Sequence, residues 1–331
     1  MNRKIVGIPL GDSAGVGPEI IAEVAAKGEL PKEIIPVVIG DMRQFEQGLR
    51  VKGLECPHYA VDEALALDES RGIAVYDLKD QDPAQVVMGQ AQAYCGQGSI
   101  NQIRTACRLA SEGKIAGFCY GPLHKGAMRS AGMKQESEAE LMAAEFGVKG
   151  PIGEVNMIGD LMTFRVTSHI PVQEISSHLN QENILQTIRL GWETSRTFGV
   201  REPRIAVAGL NPHNGEGGKC GTEEIEIIQP AVSRACEQGM NVTGPISGDI
   251  VFMRAFKGEF DVVVTMFHDQ GQIALKVMGF EQGVTIGGGL PYPITTGAHG
   301  TAYGRAGKGY ASTTAFKNAL NVLTRMVQDQ T

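Results

Sequence analysis

The chain has no Cys-x-x-Cys pair. Its six cysteines, Cys56, Cys95, Cys107, Cys119, Cys220 and Cys236, are scattered singly. That spacing excludes zinc ribbons and thioredoxin-type redox motifs, and reads as reduced thiols in a cytoplasmic protein. No apolar stretch approaches the roughly 20 residues needed to span a bilayer. No signal-type apolar segment precedes the first strand, Lys4 to Leu10, so no membrane partner is expected. Positive charge is not in excess: 30 Lys and Arg against 37 Asp and Glu leave a net charge of −7. Strong electrostatic capture of nucleic acid is therefore not expected. Two phosphate loops are also missing. Gly15-x-Gly17 is followed by Ile20 where the Rossmann fingerprint needs its third glycine. Gly218-Lys219 and Gly307-Lys308 precede Cys220 and Gly309, not Ser or Thr, so neither is a Walker loop.

Glycine is abundant, with 43 in 331 residues against an average near 7%. The glycines cluster after apolar runs, where positive φ or close backbone approach is needed. A chain of this length can bury a sizeable core in two lobes. Strand and helix patterns alternate, which predicts an α/β fold with a mostly parallel sheet. Pro18 suits a first helical turn, and the helix from Glu19 to Lys27 stops at Gly28. A strand is expected over Ile34 to Ile39 and another over Ile115 to Tyr120. Ile100, Ile103, Cys107 and Ala110 form one face of a helix over Gln97 to Ser111. Ser137 and Glu140 form a capping box opening a helix over Glu138 to Phe146. Ile184, Leu185, Ile188 and Trp192 mark a helix over Gln181 to Phe198, and acidic residues after Thr222 favour another start. The acidic, weakly patterned stretch from Ala60 to Gln85 reads as a peripheral excursion.

Three histidines each follow a buried-strand pattern. His169 ends Met162 to Ser168, His213 follows Arg204 to Leu210, and His268 ends Asp261 to Phe267. Ligands in open α/β sheets bind outside the carboxyl ends of the strands. Any one such histidine is ordinarily a polar loop residue. Three imidazoles at one sheet edge would make a three-ligand metal site with room for a substrate oxygen.

Five ordered motifs then carry a resemblance over nearly the whole chain: Gly11-Asp12-x-Ala14-Gly15-x-Gly17-Pro18-Glu19-Ile20, Thr167-x-His169-Ile170, Asn211-Pro212-His213-x-Gly215-Glu216, His268-Asp269-Gln270-Gly271 and His299-Gly300-Thr301-Ala302. The set resembles the 4-hydroxythreonine-4-phosphate dehydrogenase family of pyridoxal phosphate biosynthesis. The resemblance implies an isocitrate/isopropylmalate-dehydrogenase-like two-domain α/β/α fold, with the active-site cleft between the lobes. One lobe would run over 1–125 plus 290–331 on the NAD side. The other, over 126–289, would carry metal, substrate and dimer contacts. It implies a homodimer with shared active sites and a divalent metal on His169, His213 and His268, with Zn²⁺ first and Mg²⁺, Mn²⁺ or Co²⁺ as alternatives. NAD is expected near His299, Gly300, Thr301 and Ala302, with Gly307 and Asp12 on the same side. Lys276 is expected to contact substrate, and Asp269 to orient a ligand or accept a proton. Read alone, Lys276 is an ordinary solvated lysine and Asp269 a turn former.

The chain also departs from the family. Where the family has Gly-His-Thr-Glu it has Ser137-Glu138-Ala139-Glu140, placing Glu138 and Ala139 at two substrate contacts. Thr285 stands for the contacting Asn, Ile294 for the contacting Arg, and His124 for the Asn of Pro-Leu-Asn-Lys. Losing the Arg fork removes a good phosphate grip. The expected activity is NAD- and metal-dependent oxidation, with decarboxylation, of a small β-hydroxy acid. A non-phosphorylated substrate such as a cis-dihydrodiol carboxylate is the alternative within the family. A metal-dependent hydrolase or lyase without NAD, and a non-catalytic small-molecule binding protein, are the alternatives outside it.

Overall fold

A computed structural model describes residues 3–279 and 283–328 and divides the chain into two compact units. One comprises the chain up to Lys149 together with the segment from Leu290 on; the other is Gly150–Gly289. Residues 126–149, expected with the second lobe, pack in the first unit. The reason is local: they form two short helices that lie on a long helix of that unit.

The first unit runs β1 (Lys4–Pro9), α1 (Gly17–Ala26), β2 (Ile34–Gly40), α2 (Met42–Lys52), β3 (His58–Val61), β4 (Ile73–Asp77), α3 (Ala93–Ser111), β5 (Phe118–Tyr120), α4 (Lys125–Ser130) and α5 (Glu138–Phe146). The second contains β6 (Gly153–Ile158), β7 (Leu161–Arg165), α6 (Ile175–His178), α7 (Gln181–Thr197), β8 (Ile205–Ala208), α8 (Gln229–Glu237), β9 (Val242–Ile246), α9 (Gly248–Ala255), β10 (Val262–Thr265), α10 (His268–Gly279) and β11 (Val284–Gly288). The chain then completes the first unit with β12 (Ile294–Gly297) and α11 (Thr314–Gln328).

In the first unit the strand order is β3-β4-β2-β1-β5-β12, with every pair parallel. Parallel strands are covered on both faces, which is why β1 and β2 read as continuous apolar runs. The expected excursion over Ala60 to Gln85 contributes the end of β3 and all of β4. Both strands are short, 4 and 5 residues, and the acidic residues around them dilute the apolar pattern that would mark them. Ile100, Ile103, Cys107 and Ala110 lie buried on α3 as their spacing predicts. Ser137 caps α5 by accepting from Glu140 N, but the Glu140 carboxylate accepts from Glu136 N, so only half of the expected box forms. Asp41 caps α2 and is almost wholly buried. Its carboxylate accepts from the backbone of Arg43 and Gln81 and pairs with the Arg43 guanidinium.

In the second unit the order is β11-β6-β7-β10-β8-β9. The β11/β6 and β6/β7 pairs are antiparallel, and β7, β10, β8 and β9 are mutually parallel neighbours. The α7 stripe buries Ile184, Leu185 and Ile188 completely, and Asn180 opens the helix with a reciprocal box to Asn183. The helix start expected after Thr222 is a π-helical turn, Glu224–Ile228, leading into α8. Among the described residues no helix is long and apolar enough to cross a membrane.

Candidate active-site loops

The three candidate metal histidines follow three adjacent parallel strands, β7, β10 and β8, at their carboxyl ends. The strands end earlier than expected, so His169 lies four residues beyond β7 and His268 begins α10. Two polar side chains tie these loops together. Thr167 Oγ1 donates to Met266 O at 2.7 Å, linking the β7 loop to the β10 loop. Gln270 accepts from Met266 N and donates to Gly209 O, linking the β10 loop to the end of β8. The result brings the His169 and His268 rings to 5.6 Å between centroids. His268 Nδ1 is bonded to Asp269 Oδ1 at 2.7 Å, which leaves Nε2 as the ring nitrogen for any further partner. That is the orientation an outer-shell carboxylate gives a metal-binding imidazole.

His213 stands apart from this pair: among the described residues no three His, Cys, Asp or Glu side chains are gathered to hold a metal ion. It lies on a left-handed turn. His213, Asn214, Gly215, Glu216 and Gly217 all have φ between 46° and 74°. Left-handed backbone costs an L-residue roughly 1–2 kcal/mol, and runs of it are rare. The buried Glu224 offsets that cost. Its Oε1 accepts from Leu210 N and Asn211 N at 2.7 and 2.6 Å, and its Oε2 from Asn211 Nδ2 at 2.9 Å. Asn214 Nδ2 donates to Pro245 O. Sequence reasoning took Glu224 for helix-start charge. Nothing local marks it as the acceptor for a loop thirteen residues earlier.

Arg165, at the end of β7, is another residue the sequence did not single out. It donates to Ser168 Oγ and Asn156 Oδ1, and Gln272 on α10 donates to the same Asn156 oxygen. Burial pulls the Arg165 pKa down, and Glu154 at 3.6 Å opposes the shift. Thr285, on β11, is the cross-strand partner of Asn156, and their side chains are bonded at 3.4 Å. Lys276 is exposed on α10, four residues beyond Gln272 and eight beyond His268. Residues at this spacing share one helix face.

In the first unit the candidate cofactor and substrate loops follow β1, β5 and β12, again three adjacent strands. Gly11 has φ +85°, and a Cβ there would collide with the Gly121 and Pro122 backbone, so the β1 loop can lie against the β5 loop only with glycine. Asp12 is fully buried. It accepts from Ala14 N at 2.8 Å and from the Tyr303 hydroxyl at 2.9 Å. Its carboxylate is enclosed and meets Tyr303 rather than solvent. Burial pushes the Asp12 pKa up, with the hydrogen bonds opposing. Burial and the neighbouring Asp12 raise the Tyr303 phenol far above its usual range, so it stays a donor. His124 stacks on Tyr303 with centroids 4.9 Å apart, and its Nδ1 accepts from Ala127 N as the cap of α4.

The β12 loop is held at several points. Val16 N donates to Thr301 O, and Gly307 N donates to the buried Glu19. Lys52 donates to Gly309 O and Ala311 O while paired with Glu23. His299 Nδ1 is bonded to Gly300 O, Thr301 is buried, and Gly300 and Ala302 are exposed. Of the residues replacing family contacts, Glu138 is buried and its carboxylate lies 3.4 Å from Lys125 Nζ, while Ala139 is also buried. Ile294 is a core residue, 1% exposed and packed in the apolar cluster that includes Phe118 and Met128. It lines no surface.

Comparison with known proteins identifies the family. The family model described as pyridoxal phosphate biosynthetic protein PdxA matches residues 32–323. A Rhizobium meliloti relative, provisionally named 4-hydroxythreonine-4-phosphate dehydrogenase 2, is 42% identical, covering 98% of this chain and 94% of its own. A relative from Oceanobacillus iheyensis, provisionally named D-threonate 4-phosphate dehydrogenase, is 37% identical and covers 97% of each. The crystal structure of 4-hydroxythreonine-4-phosphate dehydrogenase from Klebsiella pneumoniae superposes with a TM-score of 0.89 at 34% identity, covering 98% of both chains. The chain therefore belongs to the PdxA family of pyridoxal phosphate biosynthetic proteins.

Proposed function

We propose that this chain is an NAD- and divalent-metal-dependent dehydrogenase that oxidises the secondary alcohol of a small β-hydroxy acid, with loss of carbon dioxide. The observation that carries the reading is the His169–His268 pair, with Asp269 orienting His268, at adjacent strand ends of a PdxA-family chain. Imidazole donors suit Zn²⁺ first, then Co²⁺ or Mn²⁺, with Mg²⁺ the poorest match. When bound, such a cation makes a substrate hydroxyl easier to deprotonate. His213 is assigned as the third ligand. NAD, when bound, would supply the acceptor for the hydride of the alcohol carbon as the hydroxyl proton is released. His299, Gly300, Thr301, Ala302 and Gly307 are assigned to the NAD side, and Lys276 to an anionic group of the substrate.

The second unit supports a homodimer whose sites are shared. Ile273, Val277 and Met278 stand 62%, 80% and 52% exposed on α10, the helix that carries His268 and Lys276. Apolar side chains so exposed beside a ligand are suited to cover by a second chain. That chain would complete the ligand set of each centre. The unpaired thiols suit a cytoplasmic protein.

The substrate is proposed to lack phosphate. Glu138 places a carboxylate on Lys125 where the family pattern has a neutral or cationic contact, and His124 and Thr285 replace amide contacts. A phosphorylated four-carbon hydroxy acid is the second reading, favoured by the names of the relatives. The test is NADH production on 4-phosphohydroxythreonine and on a cis-dihydrodiol carboxylate, side by side, with and without chelator. Better turnover of the unphosphorylated compound, abolished by chelator and by His169→Ala, is expected. Chelator-insensitive turnover would remove the metal, and efficient use of the phosphate ester would establish the second reading.

A further inference from the structure

We propose that Tyr303 is a positioning residue that joins the β12 loop to the β5 loop: its hydroxyl is anchored on buried Asp12, and its ring fixes His124. The assignment of cofactor and substrate to these loops rests on the function proposed above; the anchoring itself does not.

Three observations in one unit carry it. Asp12 is completely buried, yet its carboxylate does not face an arginine or lysine. Its two oxygens take Ala14 N and the Tyr303 hydroxyl, donors from the β1 and β12 loops. A buried carboxylate is tolerated only when hydrogen-bonded, so the Tyr303 bond is hard to dispense with. The second observation is the stack. The Tyr303 and His124 rings lie 4.9 Å apart and 17° from parallel. The third fixes the imidazole within that stack. His124 Nδ1 accepts from Ala127 N at 3.0 Å, so the hydrogen of the neutral ring lies on Nε2. A donor is thereby presented where the β5 loop follows its strand. Tyr303 takes part in both devices, and neither would survive its replacement by an aliphatic residue.

The β12 loop has a second buried anchor, Glu19 on Gly307 N, but the groups acting on Glu19 are Lys52, Glu23, Gly307 and Gly309, none of them in the β5 loop. Loosening Glu19 would free the loop without disturbing His124. Tyr303 is distinguished by doing both. Phenylalanine keeps the ring and removes the anchor; leucine removes both.

Hydrogen exchange separates the two effects without any ligand. The reporters are Arg305 N and Gly307 N in the β12 loop, bonded to Ala302 O and Glu19, and Ala127 N, bonded to His124. Tyr303→Phe should speed exchange of residues 303–309 at least tenfold and leave Ala127 unchanged. Tyr303→Leu should speed both. Unchanged exchange of 303–309 in Tyr303→Phe, or unchanged Ala127 exchange in Tyr303→Leu, would overturn the proposal. An NADH titration is run on the same proteins. Binding to the wild type that weakens about tenfold in Tyr303→Phe supports the link to cofactor. Equal affinity in the two proteins overturns that link. No binding by the wild type overturns the NAD assignment, while the exchange data still decide the anchor.

Discussion

Replacing Glu224 with Gln tests whether the left-handed turn at His213 is held by force or merely tolerated. Glu224 accepts three hydrogen bonds from residues 210 and 211. Hydrogen bonds to a charged group contribute about 1.5–3 kcal/mol each, and neutral ones about 1. Glutamine keeps two as neutral bonds and turns an NH₂ group towards Asn211 Nδ2, so about 4 kcal/mol of loop-holding energy is lost. Opening the turn, however, relieves His213, Asn214 and Glu216 of left-handed backbone, roughly 1–2 kcal/mol apiece. The mutant therefore has an escape: it can stay folded with the loop open. Global stability from urea unfolding should fall by less than about 2 kcal/mol. Exchange of the Asn214 and Cys220 amides, bonded to Asn211 O and Gly215 O, should accelerate by several hundred-fold, the equivalent of about 4 kcal/mol at 1.4 kcal/mol per tenfold. The strand amide of Gly209, bonded to Ile246 O, is the control and should not move. A global loss near 4 kcal/mol with the loop amides still protected would show that Glu224 stabilises the fold and that the turn holds itself.

Asp269→Ala frees His268 Nδ1 and should weaken zinc binding about 10–100-fold in a chelator competition, the usual effect of losing an outer-shell partner, while the unfolding midpoint stays put. Undiminished affinity would leave Asp269 as a turn former. Burial raises the Asp41 pKa, but the bonds from Arg43 and Gln81 outweigh it and hold the carboxyl below its ordinary value near 3.8. Its stabilisation is therefore full at neutral pH and fades as pH falls below about 4. Asp41→Ala should cost about 2–4 kcal/mol at pH 7, from a lost cap and an orphaned Gln81 amide, and the gap should narrow at pH 3. A gap independent of pH would refute the charge account. Burial pushes the Cys95, Cys107 and Cys119 thiols up to about 12, so alkylation under native conditions should label exposed Cys220 and Cys236 first. Early labelling of Cys119, read by peptide mapping, would contradict the packing.

What could be read from the chain alone followed from short-range physics. The cap at Ser137 and the α3 stripe of Ile100, Ile103 and Cys107 are set by neighbours three or four residues away. The histidine loops were legible because apolar runs end visibly, and adjacent parallel strands end at the same edge. Tyr303 was not legible: its meaning lies in Asp12, 291 residues earlier. Ile294 was misplaced for a related reason. Its position was judged by what stands there in relatives, whereas β12 is covered on both faces and buries Ile294, Thr295 and Thr296 alike. Residues 58–77 hid two strands because each is short and set among acidic residues.

The turn at His213 also has a stereochemical consequence. A right-handed turn reflected in a mirror is what a chain of D-residues adopts without strain, and here it is assembled from L-residues. Glycine, the one coded residue without handedness, occupies two of the five positions. The three that remain chiral are those with a side chain to place: His213, Asn214 on the Pro245 carbonyl, and Glu216 towards solvent. A semisynthetic chain carrying the D-enantiomer at 216 would adopt the same turn at ease. Its loop would then lean less on Glu224, with His213 and Asn214 still carrying their share of the strain.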